Sequence, residues 1–426
     1  MLTAEMNERL TRVGPGTPMG ELLRRYWFPI ATDQELAENP VKPVRLLGES
    51  LTLFRDLSGR LGVVAQRCAH RGVDLRHGIP QAEGLRCIYH GWMYDTSGQC
   101  VEQPAEAPEH GFKERVKLTS YPAEALGGLI WTYLGPEPVP LLPRWDIFAY
   151  QDVFRVVGTT GIPCNWLQCQ ENSVDTVHTE YVHGRFGVYV LERLGITDPA
   201  SVARFQRFVD HHHTKIDFKP VKHGIQKLRL TEGQTEESAG WTIGHPLVFP
   251  NYVLIGQAGH REFQIRVPVD DTHTWHLTYT VFFPGPGIEV PPHETIPTFE
   301  VPIRDYPDWV LGQDIRAWPS QGEIADRTVE KLAETDRGLI MFRKMLQDQM
   351  KIVEDGGDPI NVFRDPEENR FIELEMEDYG PLMHYTPGYL KHQNPGPLNT
   401  VADELDDFLG RTAEAWRASG ATAPAH

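Results

Sequence analysis

Between Arg67 and Trp92 the chain reads RCAHRGVDLRHGIPQAEGLRCIYHGW, with Cys68 and His70 spaced C-x-H and Cys87 and His90 spaced C-x2-H. Two thiols and two imidazoles gathered this closely constrain the stretch to a pair of loops if they share a metal. The donor set suits zinc, or a [2Fe–2S] centre with cysteines on one iron and histidines on the other. A structural zinc site usually opens with two cysteines a few residues apart, whereas each pair here mixes sulfur with nitrogen. Such mixing suits two similar loops, each giving a sulfur to one iron and an imidazole to the other. Gly72 and Gly91 lie just after the histidines, where both loops must turn. Four unconnected core or surface residues are the remaining alternative.

Loops of this kind need a small β framework, and the flanking sequence supplies one. From Val44 to Ala65, short apolar runs are broken at Gly48, at Asp56–Gly59 and at Gly62, which reads as strand and turn. Met93 to Val101 predicts a hairpin around Ser97–Gly98, and LIWTYL at Leu129–Leu134 a strand closed by Gly135. Before the framework, residues 1–45 read as a helical segment: Leu22 and Tyr26 share a face, and Pro29 ends the helical option. After it, Pro136, Pro138, Pro140 and Pro143 mark a handover. A chain of 426 residues exceeds what one core usually organises, so two domains are expected. The expected division is a helical segment 1–45, a β metal domain 46–145, a second domain 146–414 and a frayed tail 415–426.

The second domain mixes helix with long alternating stretches, an α+β pattern. Trp166–Val182 reads as helix. Arg204–Phe208, His212–Phe218, His223–Leu230, Tyr252–Ile255, Phe263–Val267 and Trp275–Phe283 read as strands of a large antiparallel sheet, with a hairpin turn at Asp270–Thr272. Pro284–Pro297 is a loop. Ile324–Ile352 is expected to be mostly helical, with Leu332, Leu339, Phe342, Met345, Leu346 and Met350 as a core stripe. Of His211, His212 and His213, only the first and third can share a strand face, so surface or edge placement is expected for the run.

Cys169 to His183 reads CQENSVDTVHTEYVH. Asp175 and His178, three apart, are neighbours on a helix. His183 lies five residues beyond His178, about 140° further round an ideal helix. Both histidines can reach one metal if the helix breaks or bulges near Tyr181, with Gly184 placed to help end it. Spacing alone leaves the pair open between ligands and ordinary histidines.

Charge and cysteine use narrow the partners. Asp and Glu outnumber Lys and Arg by 59 to 41, a formal charge of −18, which excludes nucleic-acid binding as the main activity. Five scattered cysteines do not make a disulfide framework. No apolar run approaches the ~18 residues needed to span a membrane, and the first residues show no apolar leader, so a cytoplasmic protein is expected. No dinucleotide or flavin fingerprint is present, so a reductant must come from a partner. Arg67, Arg71 and Arg76 crowd the metal loops and predict a positive rim for an acidic electron donor.

The loop pair resembles the Rieske motif C-x-H-x16-C-x2-H. The whole chain resembles the oxygenase α-subunit of Rieske non-haem iron oxygenases, in the phthalate dioxygenase-like group; the opening RVGPGTPMGELLRRYWFP is similar to that group as well. Asn165–Trp166, Gln168, Glu171, Asp175, His178 and His183 fit the family's NW-LQ-x2-E and D-x2-H-x4-H segments. The resemblance implies an N-terminal all-β Rieske [2Fe–2S] domain, with Cys68, His70, Cys87 and His90 on the cluster. It implies a helix-grip-like catalytic domain in which His178, His183 and Asp314 hold mononuclear Fe(II). Asp314 lies in LGQDIRAWPSQGEIADR, and Asp305, Asp308 and Asp326 are its competitors.

By the same resemblance, Asp175 takes a catalytic part, bridging His90 of one subunit to His178 of the next in a homotrimer or in stacked trimers. Electrons come from an iron–sulfur or flavin reductase, directly or through a ferredoxin. The substrates implied are O2 and an aromatic acid. The likeness is best to O-demethylation of a methoxylated, lignin-derived biaryl acid by monooxygenation, with ring hydroxylation or cis-dihydroxylation of a phthalate-like acid second. A non-catalytic Rieske electron carrier is the reading from another class. It leaves roughly 280 residues after position 145, and a second candidate ligand set, without a role.

Overall fold

Two small four-stranded sheets surround the loops described above. In the computed structural model, which describes residues 2–107, 109, 111–197, 199–210, 212–300, 310–385 and 399–421, one sheet runs Val41–Leu46, Glu49–Arg55, Leu61–Ala65 and Ser120–Tyr121. The other runs Ile79–Gln81, Gly84–Arg86, Met93–Tyr94 and Cys100–Glu102, and includes the hairpin expected at Ser97–Gly98. Val41, Phe54, Val64, Leu75, Leu85, Trp92, Tyr94 and Leu118 form a compact core that also takes in Cys68 and Cys87.

The second framework is an eight-stranded sheet. Its order is His213–Val221, Gly224–Thr231, His245–Val248, Tyr252–Gln257, His260–Asp270, His273–Phe282, Phe154–Ile162 and Thr298–Glu300. The strands pair antiparallel as expected, except that Thr298–Glu300 joins Phe154–Ile162 in parallel. The hairpin turns at Asp271–Thr272, where Asp270 Oδ1 accepts from the Thr272 amide at 3.1 Å. Between them lies a three-stranded sheet, Trp27–Thr32, Leu129–Tyr133 and Ala123–Leu126, whose Trp131 packs on Phe148, which in turn meets Phe263 and Tyr279 of the large sheet, with ring centroids 5.1, 5.5 and 4.9 Å away.

Away from the histidine pair, four expectations change. The segment 1–45 has helices at Ala4–Thr11, Pro18–Leu23 and Asp33–Glu38, but Trp27–Thr32 is a buried strand paired with Leu129–Tyr133. Pro29 fits because the strand lies at the edge of its sheet and the register shifts just after it. Arg204–Phe208 belongs to the helix Pro199–Asp210, where Phe205 packs into the space left by Gly187. Ile324–Ile352 is helical only from Arg337, in a helix that runs to Glu354. The closing helix Asn399–Ala418 enters the stretch expected to be frayed. Among the described residues, no helix is long and apolar enough to cross a membrane.

Candidate metal centres

The two cysteine–histidine loops are built alike. The carbonyl of Cys68 accepts from the Gly72 amide at 2.9 Å, and that of Cys87 from the Gly91 amide at 3.1 Å. Each cysteine amide in turn donates five residues ahead, Cys68 to Val73 at 2.9 Å and Cys87 to Trp92 at 2.8 Å. Both glycines sit in the left-handed region, at φ +70° and +76°, where a side chain would be strained. The cysteines are buried and free of disulfides, while His70 is exposed and His90 half-buried, their rings 4.5 Å apart. Trp92 stacks on His70 at 4.5 Å, and Tyr94 Oη lies 3.2 Å from Cys68 Sγ. Sulfur on the inside and imidazole at the edge is a donor set that could hold a [2Fe–2S] cluster with its histidine iron facing outward.

Of the expected positive rim, Arg76 is held by Asp74 at 2.7 Å and Arg67 reaches the Gly72 carbonyl at 3.2 Å. Arg71 lies over the Tyr89 ring at 5.5 Å.

The second centre starts from a short helix, Trp166–Glu171, capped by Asn165 Oδ1, which accepts from the Leu167 amide at 3.0 Å. Asn165 Nδ2 also donates to the carbonyls of Thr11 and Asp271 at 2.9 and 2.7 Å. Gln168 Nε2 donates to the carbonyls of Trp318 and Gly322, at 2.9 and 2.8 Å, and its Oε1 accepts from the Ala325 amide at 2.9 Å. The motif residues thus clamp distant loops around the site.

Glu171 does the same with charge. It is buried and takes Arg327 Nη2 at 2.7 Å and Arg343 Nε at 2.6 Å, while Arg343 also reaches Glu330 at 2.7 Å. The two guanidiniums hold the Glu171 carboxyl below its usual range despite its burial. Its stabilising contribution is therefore present above the ordinary carboxylate range and is lost as pH falls through the lowered folded value. Glu171→Ala leaves two buried arginines short of a partner and is expected to cost about 3–5 kcal/mol. A drop in melting temperature measures this; an unchanged melt would contradict it.

The expected long helix stops after Glu171. A 3-10 turn over Asn172–Val174 follows, then extended backbone at Asp175, then a π-helix at Thr179–Arg185. The π-helix corresponds to the bulge the histidine spacing demanded, because its i→i+5 turns bring residues five apart towards one face. The His178 and His183 rings lie 5.2 Å apart.

Asp314, on the helix Val310–Ala317, completes the group. Its Oδ2 is 3.3 Å from His183 Nε2 and its Oδ1 3.8 Å from His178 Nε2. One ligand atom from each of the three lies within 4.8 Å of the others, an arrangement that could hold a metal ion. All three are largely buried, with side-chain exposures of 14%, 4% and 8% for His178, His183 and Asp314. Of the competing aspartates, Asp326 is exposed and engaged with Thr328, and Asp305 and Asp308 lie outside the described residues.

The outer nitrogens are oriented as well. His183 Nδ1 meets Gln313 Oε1 at 3.0 Å, a partner the sequence reading missed. His178 Nδ1 faces Asp175 Oδ2 at 3.5 Å. Asp175 Oδ1 accepts from the amides of Val177 and His178, at 3.0 and 3.3 Å, so proximity arises through a capping turn rather than a shared helix face. Behind the π-helix, Glu180 binds His212 Nδ1 at 2.6 Å and His213 Nδ1 at 2.5 Å; His213 begins the edge strand, as expected, and His211 lies outside the described residues.

A mixed-ligand loop pair on a small β domain, joined to a large sheet carrying a buried two-histidine, one-carboxylate group, defines a Rieske-type oxygenase. Comparison with known proteins agrees. The profile described as Rieske [2Fe-2S] domain matches residues 26–122. The chain is 41% identical to the 5,5'-dehydrodivanillate O-demethylase oxygenase subunit of Sphingobium sp. (strain NBRC 103272 / SYK-6), over 88% of this chain and 86% of that one. It is 30% identical to the phthalate 4,5-dioxygenase oxygenase subunit of Pseudomonas putida, over 84% and 88%. The solved structure of Pseudomonas putida CBB5 NdmA with caffeine shares the fold, with a TM-score of 0.59 and 20% identity over 82% of this chain and 97% of that one. The chain belongs to the Rieske non-haem iron oxygenases, in the phthalate dioxygenase-like group. It is an oxidoreductase whose cofactors are a [2Fe–2S] Rieske cluster and a mononuclear iron.

Proposed function

We propose that this chain is the oxygenase component of an O-demethylase for a methoxylated, lignin-derived biaryl acid. The carrying observation is its 41% identity, over 88% of its length, to the 5,5'-dehydrodivanillate enzyme. Cys68, His70, Cys87 and His90 hold the cluster in an electron-transfer unit spanning 46–145, and His178, His183 and Asp314 hold Fe(II) in a catalytic unit spanning 146–414. When bound, the cluster would supply single electrons and the iron, held by His178, His183 and Asp314, would supply the activation of O2. Oxidising a methoxy carbon with one oxygen atom of O2, the other leaving as water with two electrons and two protons, gives a hemiacetal. That hemiacetal breaks down to a phenol and formaldehyde.

The electrons come from a separate cytoplasmic iron–sulfur or flavin reductase, directly or through a ferredoxin, which meets the outward histidine edge near Arg71. The assembly is a homotrimer or stacked trimers. Asp175, whose side chain is 36% exposed, bridges His178 to the partner subunit's His90. Ring hydroxylation or cis-dihydroxylation of a phthalate-like acid is the second reading, favoured by the 30% identity to the phthalate enzyme.

A screen of aromatic acids with a compatible reductase, following O2 uptake, formaldehyde and product mass together, separates the two. Demethylation gives formaldehyde in step with O2 and a product lighter by CH2. Product gaining oxygen without formaldehyde overturns it.

A further inference from the structure

We propose that Lys227 and Arg229 form the subsite that grips a carboxylate of the aromatic substrate. The inference rests on the reaction centre assigned above and extends it to substrate recognition. Residues paired across neighbouring strands share a face of a sheet, and alternate residues along a strand do too. The pairs Ile225–Leu247, Leu247–Val253 and Val253–Gln264 carry one face across four strands, and Lys227, Arg229 and Arg266 all belong to it. That face looks towards the iron ligands: Arg266 lies over the Trp318 ring at 5.6 Å, and the Trp318 amide donates to the carbonyl of Asp314 at 3.0 Å. The charges of Asp175 and Asp314 also act on Lys227.

Lys227 and Arg266 are buried and Arg229 half-buried, and among the described residues none has a direct carboxylate partner. Lys227 is 8% exposed, and among the described residues nothing lies at hydrogen-bond or ion-pair distance from its ammonium group. Burial pushes its pKa down to about 8. Among the described residues, Arg229 hydrogen-bonds only the neutral Tyr379 hydroxyl, at 3.5 Å. Glu377 lies beyond that hydroxyl and accepts from it at 3.0 Å. Arg266, three strands away, gives its two terminal nitrogens to the carbonyl and Oε1 of Gln264, at 3.2 and 2.9 Å, whereas Lys227 and Arg229 keep donors to spare. Elsewhere the same fold pairs its buried arginines directly, as Arg327 and Arg343 on Glu171 show.

A buried cation without a partner is costly, and a divalent ion at His178, His183 and Asp314 outweighs the single carboxylate there and raises the cost. An anionic ligand relieves it. A substrate carboxylate on Lys227 and Arg229 also fixes which end of a flat aromatic molecule turns to the iron.

The test is anaerobic calorimetric titration of the holoenzyme, where binding is measured without turnover. The probes are 5,5'-dehydrodivanillate, its dimethyl ester, and biphenyl-3,3'-dicarboxylate, which lacks methoxy groups. The diacids are expected to bind more tightly than the ester. Lys227→Gln should weaken both diacids roughly 10- to 100-fold, with Arg229→Gln similar, and leave the ester unchanged. Lys227→Arg, which keeps the charge, should recover most of the affinity, and the iron content and Rieske spectrum should match wild type throughout. Equal weakening of acid and ester, or no preference for the acids in wild type, overturns the subsite. Charge-dependent binding of both diacids with no formaldehyde from the methoxylated one leaves the subsite standing and removes the demethylase reading instead.

Discussion

Replacing His178 or His183 by alanine is expected to remove the mononuclear iron and abolish turnover, while the Rieske spectrum stays intact. Each variant takes one nitrogen from a group whose ligand atoms lie within 4.8 Å of one another, and a buried two-donor remnant is a poor iron site. The loss should exceed the roughly 100-fold that removal of an outer partner costs. Cys68 and Cys87 belong to a separate core, so the cluster's visible absorption and reduced spectrum report on folding independently. Asp314→Ala should behave like the histidine variants. Iron analysis checks all three. Full iron and turnover in Asp314→Ala would move the third ligand to another late aspartate.

Asp175→Ala should produce a different failure: cluster and iron mostly retained, turnover down roughly 10- to 100-fold. The side chain has two separable jobs. Its Oδ1 caps the amides of Val177 and His178, and its Oδ2 faces His178 Nδ1. Asparagine can still cap through its carbonyl oxygen but has no negative charge for an imidazole N–H. A low Asp175→Asn rate alongside a low Asp175→Ala rate therefore assigns the defect to charge; a normal Asn variant assigns it to the cap. The decisive measurement is single-turnover oxidation of the pre-reduced cluster with substrate and O2, together with native particle mass. Fast oxidation in Asp175→Ala with an intact particle rules out an electron bridge, and a fully active monomer rules out the trimer.

The candidate metal ligands were legible because metals demand particular donors at particular spacings. Cys68, His70, Cys87 and His90 stood out as a mixed-ligand loop pair, and the five-residue gap between His178 and His183 allowed a shared metal only with a break or bulge in the helix. The partners that orient the ligands were not legible. Gln313 is one polar residue among many until the helix Val310–Ala317 turns it to His183. KLRL at Lys227–Leu230 looks like an ordinary strand with charges facing water, yet Lys227 is buried. Alternation distinguishes the two faces of a strand without saying that both are covered. ARFQRF at Ala203–Phe208 misled in the opposite way: it alternates only as far as Gln206, while Phe205 and Phe208 stand at helical spacing, and glycines at Gly184 and Gly187 make room for that helix. Those glycines sit in a different segment, so local pattern could not weigh them.

The wide turn at Thr179–Arg185 has a consequence for heredity. A π turn differs from an α turn by one extra residue, so losing any single residue between His178 and His183 would restore the ordinary ladder and swing the downstream side chains by about 100°. A substitution at Tyr181, which is exposed, keeps the count and can be inherited quietly; a one-codon deletion there cannot. At its exposed positions, descendants of the gene are free to drift in spelling but not in length.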